Sequence, residues 1–349
     1  MNFDMREFKF LFAFLLLCCA AACQKSDVAP EERKPFAFAA SEETKTGLSE
    51  TYDNFRVWAT IVQGSSLSTE MPGYLVKHDN ALGWIYENIA AGQELKYWSS
   101  SADAYHFHAG APDYVENVSG EQVAGILLNA GTPATPAITE NSLTLKMIAT
   151  KEIKETSLYS QPYLVRRTDP SFGSLVNLNF CYAHAKVNVA FKYVSGSTIT
   201  IKEIKLIPPA AIATVATLQI NYDWARPAVS AGTLDISTKE VDGTHPLMFK
   251  EIAGISANSK EYHTSSSPWY LIPDPASKGD WKLSITVASE GVADETKQVT
   301  FTVSKAWESG KAYLYRFEYT DEAHLVFLGT SEYLFKGENL QDGGEHDFS

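Results

Sequence analysis

"VNLNFCYAHAKVNVAFKYV", residues 176–194, decides how the rest of this chain is read. Val176, Leu178 and Phe180 alternate with asparagines, and after "CYAHAK" the alternation resumes at Val187, Val189, Phe191 and Tyr193. Apolar residues at every second position share one face of an extended chain, whereas a helix would scatter them around its axis. The stretch therefore predicts half-buried strands.

The same pattern recurs on both sides. "FRVWATIV" (55–62) is β-branched and aromatic. "STITIKEIKLI" (197–207) alternates Ile199, Ile201 and Ile204, with a bulge expected before Leu206. "WKLSITVAS" (281–289), "KQVTFTVS" (297–304) and "AYLYRFEYT" (312–320) do likewise. Gly, Pro, Ser and Asn punctuate the intervals. These features predict an all-β chain of antiparallel strands in sandwiches rather than a parallel α/β sheet. One helix is expected, over "SGEQVAGILLNA" (119–130), with Ser119 as N-cap and Gln122 at capping-box spacing. No repeat of solenoid or propeller length is visible.

At the N-terminus, Arg6 and Lys9 precede an apolar run from Phe10 to Ala22. The run is shorter than the ~20 residues a bilayer-spanning helix needs and matches a signal-peptide core. Ala20-Ala21-Ala22 then leads into Cys23, and small residues directly before a cysteine resemble the lipobox of bacterial lipoproteins. That resemblance implies cleavage before Cys23, a diacylglycerol on its thiol and an acylated amine. Gln24 does not match an inner-membrane retention signal, so lipid anchoring in the outer membrane is expected. "QKSDVAPEERKP" is polar, charged and proline-bearing, the composition of a tether. The expected organisation is a signal peptide over 1–22, a tether over 23–34, and two domains over 35–182 and 183–349. Two domains suit a chain of 349 residues, more than one core ordinarily covers.

Composition narrows the function. A net charge of −13 without a basic run makes nucleic acid an unfavourable partner. Of four cysteines, three lie at or before Cys23, leaving Cys181 alone in the body of the protein. An intramolecular disulfide and a Cys-based zinc site are thereby excluded. Cys181 itself reads as a small buried apolar residue. There is no phosphate loop, G-x-S-x-G elbow or H-E-x-x-H. His106 and His108 share one strand face beside an inward Phe107 and are expected to face solvent. His184, in an apolar strand, reads as a buried or interface histidine. Neither an enzyme nor a cofactor is expected.

A family resemblance rests on several segments taken in order. Behind the lipobox come "PFAFAAS", "FRVWATI", "ELKYWSSSADAYHFHAGAP" (94–112), "LNFCYAHAKVNVAFKY" (178–193), "WYLIPDP" (269–275) and "AWESGKAYLYRFEYT" (306–320). The set resembles the fimbrillin family, the lipoprotein pilins of type V pili, in its minor-fimbrillin-like branch. Tyr97-Trp98, Phe107 to Pro112, His184 to Val187, and Trp307, Gly310 and Tyr313 carry the match. Ser99 departs from the family's proline.

The resemblance implies two tandem transthyretin-like β-sandwich domains. It also implies export to the surface, cutting by a trypsin-like maturation protease, loss of the first strand, and entry of another subunit's strand into the vacated groove. Here "KPFAFAAS" (34–41) would be the removable strand, with Phe36 and Phe38 on one face. The cut would fall between Lys45 and Thr46, although the family usually has Arg there. Arg56 is the alternative, shielded by its strand. The family's donor strand is C-terminal. "HLVFL" (324–328) and "EYLF" (332–335) look like short strands, but the tail "GENLQDGGEHDFS" makes a poor donor. A tip or accessory subunit of a pilus, serving adhesion or biofilm formation, follows more readily than a stalk subunit. Implied partners are other pilin subunits, the outer membrane, the maturation protease and a host or bacterial surface ligand. The alternative is a non-polymerising surface lipoprotein that binds glycans through exposed aromatics.

Overall fold

The computed structural model describes residues 34–42, 52–127, 142–194, 198–222, 224, 233–241, 246–256, 261–320 and 324–334. Among them the regular structure is 23 strands and two one-turn 3-10 segments, Ile153–Glu155 and Pro275–Ser277. The protein is all-β.

In chain order the strands begin with β1 (Phe38–Glu42), β2 (Asn54–Gln63), β3 (Ser66–Asp79), β4 (Gly83–Ile85), β5 (Ala104–Ala111), β6 (Tyr114–Glu116), β7 (Gln122–Ile126) and β8 (Ser142–Ile148). There follow β9 (Leu158–Ser160), β10 (Tyr163–Arg166), β11 (Val176–Tyr182), β12 (Ala185–Tyr193), β13 (Ile199–Ile207), β14 (Ala213–Asn221) and β15 (Thr233–Val241). The last are β16 (Leu247–Phe249), β17 (Ile252–Ile255), β18 (His263–Thr264), β19 (Trp269–Leu271), β20 (Gly279–Ser289), β21 (Val292–Val303), β22 (Lys311–Tyr319) and β23 (Leu325–Leu334).

The first sheet runs β10-β5-β2-β3-β4-β1-β11-β9, and a further β5–β9 pairing closes it on itself. It encloses an aromatic core in which Phe55, Tyr105, Phe107 and Phe180 are fully buried. In the second half of the chain, the sheets β18-β12-β22-β23 and β16-β13-β20-β21 face one another. Their shared core holds Val187, Val189, Phe191, Ile201, Leu206, Trp281, Leu283 and Phe317. These are the residues whose alternation predicted strands. The expected bulge in β13 is present: its register against β20 shifts between Lys202 and Lys205, and Glu203 has φ 44.

A third sheet, β15-β14-β8-β7-β6, combines strands from before and after residue 182. Leu143, Leu145, Met147, Leu218 and Ile220 pack against Trp58, Tyr159 and Cys181. Cys181 is buried, as its apolar surroundings predict. Gly110 lets the two layers approach, since a Cβ there would lie 2.8 Å from Leu143 Cδ2.

Three expectations change. Residues 122–126 of the expected helix form strand β7, hairpinned to β6. Asn117 Oδ1 accepts from Ser119 N (2.9 Å) and Glu121 N (3.0 Å), so the polar side chain shapes a turn instead of a helix start. The rest of that stretch, from 128, lies outside the described residues. The two short strands expected near the C-terminus are one strand, β23, which bends at a register shift opposite Arg316 and Phe317. Finally, pairing is not wholly antiparallel: β1 runs parallel to β11, and β12 parallel to β22.

Candidate functional site: an inserted first strand and its groove

Residues 34–42 thread between two walls of the closed sheet. On one side β1 pairs with β11 over five residues, from Phe38↔Val176 to Glu42↔Phe180. On the other it meets β4 at a single position, Phe38↔Trp84. Just upstream, Phe36 N donates to Lys96 O (2.8 Å), and Lys34 O accepts from Trp98 N (3.0 Å). Val176 N donates to Ala37 O (2.8 Å). The segment thus makes backbone hydrogen bonds on both edges, continuous along β11 and sparser on the side of Lys96, Trp98 and β4.

Phe36 and Phe38 both point inward, at 2% and 5% exposure, while Ala37 between them is exposed. The Phe36 ring lies edge-on to Trp98, Tyr105 and Phe107, at centroid separations of 5.0, 5.3 and 5.4 Å. Phe38 is similarly placed against Tyr86 (5.6 Å), Phe107 (6.2 Å) and Phe55 (6.4 Å). Edge-to-face pairs of this kind add to the burial of each ring. The family resemblance implied this strand, with Phe36 and Phe38 on one face. Nothing in sequence marked Tyr86, Trp98 and Tyr105 as its walls, because they come from separate loops and strands.

The other sequence-derived residues are placed as follows. Cys23, Lys45 and Thr46 lie outside the described residues. The segment that carries Lys45 is bounded by Glu42 at the end of β1 and by Tyr52, which is buried and donates its hydroxyl to the carbonyls of Ile153 and Thr156. Arg56 sits inside β2, bonded to Asp113 and donating to Gly73 O (2.7 Å), which shields it as expected. Trp307, Gly310 and Tyr313 build the turn into β22. Trp307 Nε1 donates to Tyr315 Oη (2.8 Å), Glu308 N to Tyr313 Oη (3.0 Å), and Gly310, at φ 70, donates its N–H to His184 O (3.0 Å).

The histidines need one correction. Phe107 points inward, but His108 is buried and His106 is only partly exposed. His106 stacks on Trp224 at 4.4 Å, and His108 lies between Trp58 (5.5 Å) and Tyr222 (4.7 Å) at 1% exposure. Strand β14 and the residues that follow it cover them, a contact between distant parts of the chain that local alternation does not encode. Burial holds the pKa of His108 down at about 3 and lowers that of His106. His184 is fully buried as expected, with Nε2 2.8 Å from Ile148 O, and burial lowers its pKa to about 4. Among the described residues no group of three or more His, Cys, Asp or Glu side chains could hold a metal ion. The exposed aromatic residues there are Tyr97 and Tyr114, in the loop before β5 and in β6.

A closed sheet whose first strand comes from the N-terminal residues, beside a two-sheet sandwich, is an all-β architecture, and comparison with known proteins narrows it. The fimbrillin-like family model matches residues 43–332, and the chain belongs to that family. A solved fimbrial protein from Bacteroides vulgatus is 13% identical, with a TM-score of 0.56, covering 86% of this chain and 99% of that one. Two structures, each described as a "putative cell adhesion protein", are also similar. The one from Bacteroides uniformis is 15% identical with a TM-score of 0.46, covering 86% and 98%. The one from Bacteroides ovatus is 13% identical with a TM-score of 0.49, covering 87% and 99%. At that identity the likeness to the fimbrial protein, with its TM-score of 0.56, speaks for the fold alone. No curated protein sequence matches the chain.

Proposed function

We propose that this chain is an outer-membrane lipoprotein, anchored through Cys23, that matures into a subunit of a surface pilus by donor-strand exchange. A trypsin-like protease cuts between Lys45 and Thr46. The piece that carries the lipid and β1 departs, and a strand from another subunit fills the groove. One observation carries the reading: residues 34–42 are an inserted strand with two buried phenylalanines, and they lead directly into the segment that holds Lys45. An empty groove would expose unpaired backbone groups of β11 and the aromatic walls, and a new strand satisfies both.

A tip or accessory role is favoured over the stalk. The described C-terminal strand, β23, is already committed: it pairs with β22 along its length, Leu325 is buried, and Phe327 stacks on Phe301 at 4.5 Å. The acidic, Gly-rich tail beyond it suits donation poorly. The division into domains over 35–182 and 183–349 is part of the same proposal. The first two cores fall largely on either side of it, and the third sheet bridges it.

The test is limited trypsin digestion of the chain starting at Gln24, followed by intact mass. A single early cut after Lys45 that leaves a folded remainder is the expected result. Resistance of residues 43–51 while other loops are cut would remove strand exchange from consideration.

A further inference from the structure

We infer that the groove selects its incoming strand by side-chain size at three positions: an aromatic residue, a second aromatic two residues on, and a small residue two further on, in a strand running parallel to β11. The inference rests on the proposed removal of β1 and names the chemistry of the partner: an extended segment of another subunit with that spacing.

The first socket is the ring of Trp98, Tyr105 and Phe107 around Phe36. The second, around Phe38, is built by Tyr86, Phe55 and the same Phe107. Because one side chain walls both, their separation is fixed at the two-residue repeat of a strand. A one-residue slip would turn both rings to solvent. Beyond the second socket the space is filled. Phe55 packs on Trp84 at 4.9 Å and on Phe180 at 5.4 Å, and Ala40, which follows Phe38 by two, is half-buried against this core opposite Leu178. A methyl group packs there beside a core already filled by rings, and a ring in its place would have to displace those neighbours or turn toward solvent.

Direction is set by the backbone partners. The Lys96 carbonyl and Trp98 amide serve one edge at positions 36 and 34, and the Val176 amide serves the other at position 37. A strand of opposite polarity would have to find a different register to satisfy all three. Position 37 faces out and carries no size requirement.

The test uses the full chain with an added protease site within residues 43–51, cut and then challenged with labelled peptides spanning 34–42. Displacement of the resident strand is followed by mass, and affinity by competition. The native peptide and its Ala37→Ser form should exchange equally well. Peptides with Phe36→Ala, Phe38→Ala, Ala40→Phe, or Ala37 and Phe38 exchanged should bind about tenfold more weakly or worse. If the native peptide exchanges but the altered ones bind alike, size selection is wrong while the removable strand stands. If even the native peptide fails to displace the cut strand, the removable-strand reading fails and takes this inference with it.

Discussion

Each half of the molecule begins with a strand that runs parallel to a late strand of the same half, yet the two are held very differently. β1 pairs with β11 over five residues and touches β4 at one. β12 pairs with β22 over eight, and β18 and β19 cover its other edge. Only Ala183 and His184 separate β12 from β11, and eight of its nine residues are buried. β1 is separated from β2 by residues 43–53 and belongs to a sheet with seven other strands. The same topology thus holds one strand by fewer pairings than the other, and on the proposed function that is what makes β1 replaceable and β12 integral; the difference lies in edge pairing and connection length rather than in apolar content.

The largest effect expected from this contrast is on stability. Phe191→Ala in β12 opens a cavity in the second core, where Phe191 lies 5.6 Å from Phe317, and should cost about 3–5 kcal/mol. Phe38→Ala in β1 deletes a ring buried nearly as deeply, and on the proposed function the strand peels from a chain that remains folded. Global unfolding in urea should therefore fall much further for Phe191→Ala, whereas trypsin cleavage in 43–51 should accelerate more for Phe38→Ala. Equal shifts in both measurements would mean that β1 unfolds only with the whole molecule.

Acid should act on the seams rather than on the groove. His108 and His184 are neutral when folded, with pKa values lowered by burial to about 3 and about 4. Unfolded, each would titrate near 6.5. Protonation therefore favours the unfolded chain once pH falls below that value, and the penalty grows until the folded pKa is reached. Each histidine contributes about 1.4 kcal/mol of lost stability per pH unit in that window. Urea midpoints measured from pH 7.5 to 4.5 should decline, and His108→Gln should flatten the slope. An unchanged slope would place the acid response on groups other than His108. The other side of β5 carries Phe107, so the rate of cleavage in 43–51 reports whether loosening this seam is felt in the groove.

Much of the fold could be read from alternation. β11, β12, β13, β20, β21 and β22 all fall on stretches whose every-second-residue pattern named them, while the strand at 34–41 was implied by the family resemblance, with Phe36 and Phe38 on one face. What alternation does not encode is the partner. Parallel pairing of β1 and β12, closure of the first sheet through β5–β9, and the third sheet that joins β8 to β14 all depend on contacts between residues far apart in sequence. The same reason explains the histidines: period two placed His106 and His108 on the face opposite Phe107, but only the return of the chain at Tyr222 and Trp224 buries that face. At 119–130, capping-box spacing suggested a helix, and the Asn117 turn with the β-branched Val123 and Ile126 prevailed.

The smallest effect is the most discriminating for the first strand. Ala37 lies between the two sockets and faces out, so Ala37→Ser changes neither ring contacts nor the Val176 hydrogen bond to its carbonyl. Stability should shift by less than about 0.5 kcal/mol, the range of surface substitutions away from structural features. Cleavage in 43–51 should proceed at the unaltered rate. Should Ala37→Ser instead accelerate cleavage as much as Phe38→Ala, both faces of residues 34–42 would be holding the strand. The groove would then extend over its outer surface, and a donor would have to match side chains at every position rather than at alternate ones.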